Sequence, residues 1–426
     1  MRILKDIPEL VKADVITPET ADKIRNYYQS KGSASPNQLY IVFAIIGSIL
    51  VGLGIILMMA HNWDELSRIT KTFFAFLPLL LGQILCGYTL IKKQASTTWR
   101  ESGSVFLFFA VGASIALVGQ IYHIPGGTGT FLLTWMLLCL PLVYLMPSSG
   151  TSLLYLACLT YYVTHLDFGS SSNSYWYWLL LFGILPHYYQ LYRKKPTSNF
   201  MIFHNWLIPL SIAIALVTVA KETEELLFIA YCSLFGFFIL VGNLDFFAQQ
   251  KLKNNSYKLI GTLGTMLLLF VLSFNGFWQN VSEELLSNNQ IFTAPEWYAA
   301  VLITLFAGGL LFFRRRSKAL ITLPQLEPVF TFFIIIFIIG LFAPIAAGLV
   351  NLLILVIGIL TMREGAAKSH LGVLNLGLLI ITTLILCRFF DTDLSFVIRG
   401  LLFVLVGAGF FGANYWLLKK RKTNEQ

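Results

Sequence analysis

Fourteen apolar runs, each long enough or nearly so to cross ~30 Å of hydrocarbon, dominate this chain from Gln38 onward. They lie near residues 38–60, 70–92, 103–122, 129–146, 148–166, 175–192 and 200–219, then near 225–248, 257–277, 296–314, 327–343, 345–362, 370–388 and 394–417. A backbone that meets lipid must satisfy its own hydrogen bonds, and runs of this length do so as helices. Charged residues make up only 12% of the 426 residues, about half the share in a soluble domain. A soluble fold with so few charges has no surface to present to water. The expected fold is therefore all-α, a polytopic transmembrane helix bundle of about 14 spans. Two pairs of runs are separated only by short turns at Pro147 and Pro344. There, a tight hairpin or re-entrant pair is the alternative to two full spans.

The basic residues test this map. With the N-terminus placed in the cytoplasm, 25 of the 30 lysines and arginines fall on the inner side, as the positive-inside rule requires. Both termini are then cytoplasmic, and residues 38–418 form the transmembrane domain. The tail 419–426, opening Lys419-Lys420-Arg421-Lys422, returns to the cytoplasm. The net charge of +9 is a property of the inner loops and tail, which argues against nucleic acid as a partner. The partner is the lipid bilayer. No apolar segment suited to a signal peptide lies near Met1, so the first span is expected to drive insertion.

Residues 1–37 read as a cytoplasmic helical hairpin and linker. Ile3, Ile7, Leu10 and Val11 share one helical face. Thr17-Pro18-Glu19 announces a second helix, with Thr17 as N-cap and Pro18 at the first helical position. Its mixed charge suits a cytoplasmic protein partner docking on residues 1–31. The five cysteines all sit in apolar runs without a CxxC pair, so neither a disulfide framework nor a zinc site is expected. The chain carries no cofactor motif, and no HExxH, GxSxG or Walker signature is present.

Polar groups that persist inside a bilayer point to function because they are costly there. Three clusters fall on the outer side: His61, Asn62, Trp63 and Asp64 (followed by Glu65); Gln120, Tyr122 and His123; and Arg388, Asp391 and Asp393, with Arg399 further along the last span. Each also has a packing role open to it: Trp63 and Tyr122 as interface anchors, Gln120 as a tie between helices, and Arg388 as half of an ion pair. On the inner side stand His187, His204 and Asp245. Pro186 is expected to kink the span carrying His187 and free backbone groups beside it. A proton relay through the two histidines and Asp245 competes there with simple snorkelling to the interface.

The segment from Gly52-Leu53-Gly54 to His61-Asn62-Trp63, followed by Gly119-Gln120-Ile121-Tyr122-His123, resembles the bacterial membrane-protein family catalogued as domain of unknown function 2157. The Ile16-Thr17-Pro18-Glu19 turn is similar to that family's start. Leu374-Asn375-Leu376-Gly377 with Arg388-Phe389-Phe390-Asp391 is similar to its C-terminal part. The resemblance implies a multi-pass protein of the bacterial cytoplasmic membrane and no particular activity.

Three functions fit these features. A transporter, flippase or channel would use the outer clusters as a vestibule, with Arg388 or Arg399 facing an anionic small molecule. A membrane enzyme resembling lipid-dependent glycosyltransferases would act on a lipid-linked envelope substrate, using Asp64-Glu65 and a cation between Asp391 and Asp393. A non-catalytic scaffold or sensor would act through its N-terminal hairpin. Transport is the leading expectation.

Overall fold

The computed structural model of the chain describes residues 3–33, 50, 65–165, 174–278, 291–317 and 326–391, apart from 222, 251 and 369, together with 281, 285 and scattered positions between 397 and 415. Among the described residues every regular element is helical. The chain divides into two units, Met1–Ala75 and Phe76–Gln426.

The first unit contains the expected hairpin, α1 (Ile3–Lys12) and α2 (Pro18–Ser33). The Thr17 hydroxyl accepts from the Thr20 backbone N–H at 3.3 Å, so it caps α2 as its position before Pro18 requires. Asp14 makes the reversal with φ at 57°, a left-handed conformation that Asp tolerates better than most residues. Ile7 and Ala21 form the buried seam between the two helices.

Twelve of the fourteen apolar runs each become one helix; the first and most of the last lie outside the described residues. The twelve are α3 (Arg68–Lys92), α4 (Thr97–Ile121), α5 (Thr128–Leu145), α6 (Ser149–Thr164), α7 (Ser174–Lys194), α8 (Asn199–Leu216), α9 (Leu226–Gly242), α11 (Ser256–Leu272), α12 (Pro295–Ser317), α13 (Val329–Phe342), α14 (Ala346–Ala367) and α15 (Leu371–Asp391), with a single turn, α10 (Asp245–Ala248), between α9 and α11. Among the described residues seven helices are long and apolar enough to cross a membrane, and α9, α11 and α13 are apolar but shorter. At Pro147 and Pro344 the chain ends one helix and starts another: α5 packs on α6, and α13 on α14.

Two helix sets build the second unit. In one, Phe108, Met136, Tyr155, Leu159, Tyr177 and Ile208 meet in a common core drawn from α4 to α8. In the other, Leu240, Leu269, Phe330, Phe333, Val350 and Leu384 join α9 through α15. Phe238 and Tyr257, with Leu216 from α8, bridge the two. Leucine on lipid-facing and protein-facing sides gains little from burial inside a bilayer, so close packing of small residues matters more. The α14–α15 crossing shows this. A Cβ on Gly377 would stand 2.6 Å from the Met362 backbone nitrogen and 2.8 Å from the Gly358 carbonyl oxygen. Only glycine allows the two backbones that separation.

Candidate functional site

A row of buried polar contacts collects at one end of the second unit, the end where the basic loops lie. It begins at Glu101 in the first turns of α4. One oxygen of its carboxylate accepts from the Ser149 backbone N–H at 2.9 Å. The other accepts from the Gly150 N–H at 2.8 Å and the Ser148 hydroxyl at 2.5 Å. These are N–H groups of the first turn of α6, which no helix can satisfy internally, and the helix dipole favours an anion there. The short turn after Pro147 thus has a partner on a helix nearly fifty residues earlier. Ser104 and Thr151, 2.6 Å apart, tie the same two helices one turn deeper.

Both inner histidines join this row. The Ser149 hydroxyl lies 3.4 Å from His187 Nε2, and the Ser152 hydroxyl lies 2.8 Å from His204 Nε2. The imidazole centres are 6.0 Å apart, and both side chains are buried. The Phe200 carbonyl oxygen lies 2.7 Å from His204 Nδ1. A carbonyl can only accept, so Nδ1 carries the proton and Nε2 accepts from Ser152. Pro186 lies inside α7, which is one helix from Ser174 to Lys194. The Tyr144 hydroxyl donates to the Gly183 carbonyl oxygen and meets the His187 backbone N–H, so a side chain from α5 enters α7 where proline interrupts its ladder.

Beyond His204 the row continues. Tyr188 donates to Asn205 Oδ1 at 2.7 Å and stands 3.4 Å from the Tyr257 hydroxyl. Ser256 donates to the Asn205 carbonyl oxygen at 2.5 Å. Asn255 caps α11 by accepting from Lys258 N–H at 3.1 Å and donates to the Gly242 carbonyl oxygen at 2.7 Å. The row closes on an ion pair. Glu327, fully buried, accepts from Arg314 at 3.0 Å and from Asn243 at 2.9 Å through the same oxygen. Asp245, the third inner residue expected to matter, is exposed on α10.

The opposite end holds the outer clusters. His61, Asn62, Trp63, Asp64, Asp393 and Arg399 lie outside the described residues, as does the side chain of Asp391. Gln120, Tyr122 and His123 close α4 and are exposed, with His123 at a φ of 53°. Arg388 donates to the Ser273 hydroxyl at 3.2 Å and lies over the Phe274 ring at 4.7 Å. Asn351 donates to the Ser273 carbonyl oxygen at 3.0 Å. Gln120 sits on a helix packed against α5 and α6, Arg388 on one packed against α14. The two residues therefore belong to different helix sets, and the vestibule uniting all three clusters remains an expectation from the sequence.

Between α3, α4 and α5 runs a groove of ≈ 940 Å³. It starts under the Ile124–Thr128 loop and Gly119, beside the Gln120–His123 cluster, and reaches Leu145 at the far end of α5. Its walls are mostly apolar, and no charged side chain lines it among the described residues. Five polar side chains interrupt them, Thr128 and Thr130 at the mouth and three at greater depth. At ~1.5 Å per residue, Ser114 and Thr134 sit about 10 Å below the mouth. Gln83 sits about 14 Å from the other end of α3. Sequence inspection passed over Gln83, although a glutamine between Leu81-Gly82 and Ile84-Leu85 is the kind of intramembrane polar residue that marks a site. Glu101 and Ser148–Ser152 were passed over too, because serines and a helix-end glutamate are ordinary at an interface.

Residues 8–152 match the family described as Predicted membrane protein (DUF2157). That stretch contains the hairpin from Pro8 onward, the whole groove, Glu101 and the first turn of α6. The C-terminal motif at Leu374–Gly377 and Arg388–Asp391 lies beyond the matched residues. No curated protein and no solved structure matches the chain.

Proposed function

We propose that the protein is a transporter of lipid-like amphiphiles, with the groove between α3, α4 and α5 as the path. The groove itself carries this reading. It runs along three helices, from a loop at one end to the last turn of α5 at the other. An acyl chain suits its walls, since apolar surface surrounded by lipid admits hydrocarbon at little cost. A polar head crossing the same distance needs hydrogen-bonding groups on the way, and Ser114, Thr134 and Gln83 are spaced to offer them. Gln120, Tyr122 and His123 stand at the mouth, where a headgroup would enter or leave. In this reading the protein sits in the bacterial cytoplasmic membrane with both termini and the basic end facing the cytoplasm, and the exposed charges of α1 and α2 are open to a cytoplasmic protein.

The test is phospholipid movement in vesicles. The purified chain, reconstituted with a headgroup-labelled fluorescent phospholipid, should raise the fraction accessible to dithionite above that of protein-free vesicles. Gly119 supplies the control: it lines the groove and a Cβ there meets nothing within 4 Å. Gly119→Phe should therefore fill the mouth without disturbing packing and lower the rate at least tenfold. A rate equal to that of empty vesicles, or one untouched by Gly119→Phe, would overturn the proposal.

A further inference from the structure

We infer that His187 and His204 form a proton-binding site that controls the width of the groove. The inference rests on the transport reading for its purpose but not for its chemistry. Two imidazoles with centres 6.0 Å apart share a buried pocket. Each is held by a hydroxyl from the same turn of α6, Ser149 for one and Ser152 for the other. Packing alone would be met by apolar side chains, and hydrogen bonding alone by Ser or Asn; two side chains that can each also bind a proton are a different choice. Like charges this close disfavour double ionisation, so the pair takes one proton more readily than two and titrates as a unit.

The titratable groups facing the pair are few. Glu101 faces His187 from α4. Tyr144 reaches the His187 backbone from α5, and Tyr155 from α6 binds the Leu180 carbonyl oxygen two turns earlier on α7. Tyr188 stacks on His204 at 6.3 Å and touches Tyr257 of α11. Glu101 is the one carboxyl group among these. It is half-buried at the basic end, so it borders both the water and the pair. A proton from that water binds an imidazole nitrogen, its charge is met by the Glu101 carboxylate that faces His187, and it returns to the same water. No other bond changes.

These atoms lie outside the groove but on the helices that wall it or next to them. Glu101 is in the second turn of α4, and Ser148 and Ser149 stand in the short turn that leads from α5 into α6. Helices α4 and α5 are two of the three walls, and Tyr144, which enters α7 beside His187, neighbours Leu145 at the groove's end. In the neutral state the Glu101 carboxylate is held by the first turn of α6. An imidazolium at His187 draws that carboxylate toward itself and away from the turn, and this shifts α4 against α5.

Two measurements on the full chain in nanodiscs test this. In the first, the Cε1 carbons of all histidines are labelled and their NMR signals followed from about pH 5 to 8. The signals lost in His187→Gln and His204→Gln should move together, in two separated steps. Independent single-step titration of both, or no titration of either, would overturn the inference. In the second, an environment-sensitive maleimide on Leu138→Cys, a residue lining the groove, reports on its width, with the parent chain as background. Its emission should change over the pH range of the paired signals, keep that change in His370→Gln, a histidine outside the groove lining, and lose it in His204→Gln. An emission change that survives both His187→Gln and His204→Gln would sink the coupling. Should a glutamine variant fail to fold, His187→Asn and His204→Asn supply both the signal assignment and the emission test. Absence of lipid movement with both titrations intact would refute the transport reading and leave the proton site standing.

Discussion

Removing the Glu327 carboxylate is the sharpest test of how the second helix set holds together. Glu327 is fully buried, Arg314 has a side chain only 11% exposed, and the two are 3.0 Å apart. Asn243 donates to the same Glu327 oxygen. In Glu327→Ala the Arg314 guanidinium keeps its charge and its burial but loses its partner, and breaking a buried pair in this way costs about 3–5 kcal/mol. The lost Asn243 bond is part of that figure, at about 1 kcal/mol for a neutral donor. The folded fraction should therefore fall by roughly a hundred to a few thousand fold in equilibrium terms. Arg314→Ala should be comparably harmful, since it strands a carboxylate. The paired change Arg314→Met with Glu327→Leu should recover most of the loss, because two apolar side chains leave no unpaired charge. Unfolding in mixed SDS micelles, followed by circular dichroism, gives the three values. Single changes that lose less than about 1 kcal/mol, or a double change as damaging as the sum of the singles, would show that the charges are not coupled and would refute the argument.

Two further outcomes are expected. Gly377→Leu should lose about 3 kcal/mol, the upper part of the range for overpacking, since its Cβ meets the Met362 and Gly358 backbones, which cannot rotate away; thermal unfolding checks this, and stability within about 0.5 kcal/mol of the parent would refute the close crossing. In intact cells an impermeant maleimide should label Tyr122→Cys but not Thr423→Cys, and labelling of the tail would refute cytoplasmic termini.

The histidines show where reading a chain of this kind succeeds and where it stops. Their residue type and depth marked them in the sequence, together with the proline beside His187. Their adjacency could not be seen, because Ser149, Ser152, His187 and His204 reach one pocket from three helices. The outer clusters had the same standing by depth, yet Gln120 and Arg388 belong to different helix sets. Depth is a one-dimensional property of a span, and it says nothing of position in the membrane plane. Gln83 and Glu101 were missed for a related reason: each is unremarkable alone, and matters for what faces it.

Hydropathy by itself determined that the chain is helical and how its described residues divide into apolar helices. It could do so because a bilayer imposes length and hydrogen-bond closure on each segment separately. The N-cap at Thr17 and the break at Pro147 were local in the same sense. Which helices touch was decided only by the tertiary structure. Apolar side chains are nearly equivalent to lipid tails, so the choice of neighbours depends on a few close backbone approaches, such as Gly377 on Gly358, and a few polar pairs, such as Glu101 on α6 and Glu327 on Arg314. Those contacts span tens of residues, and their energy exists only once both partners are in place.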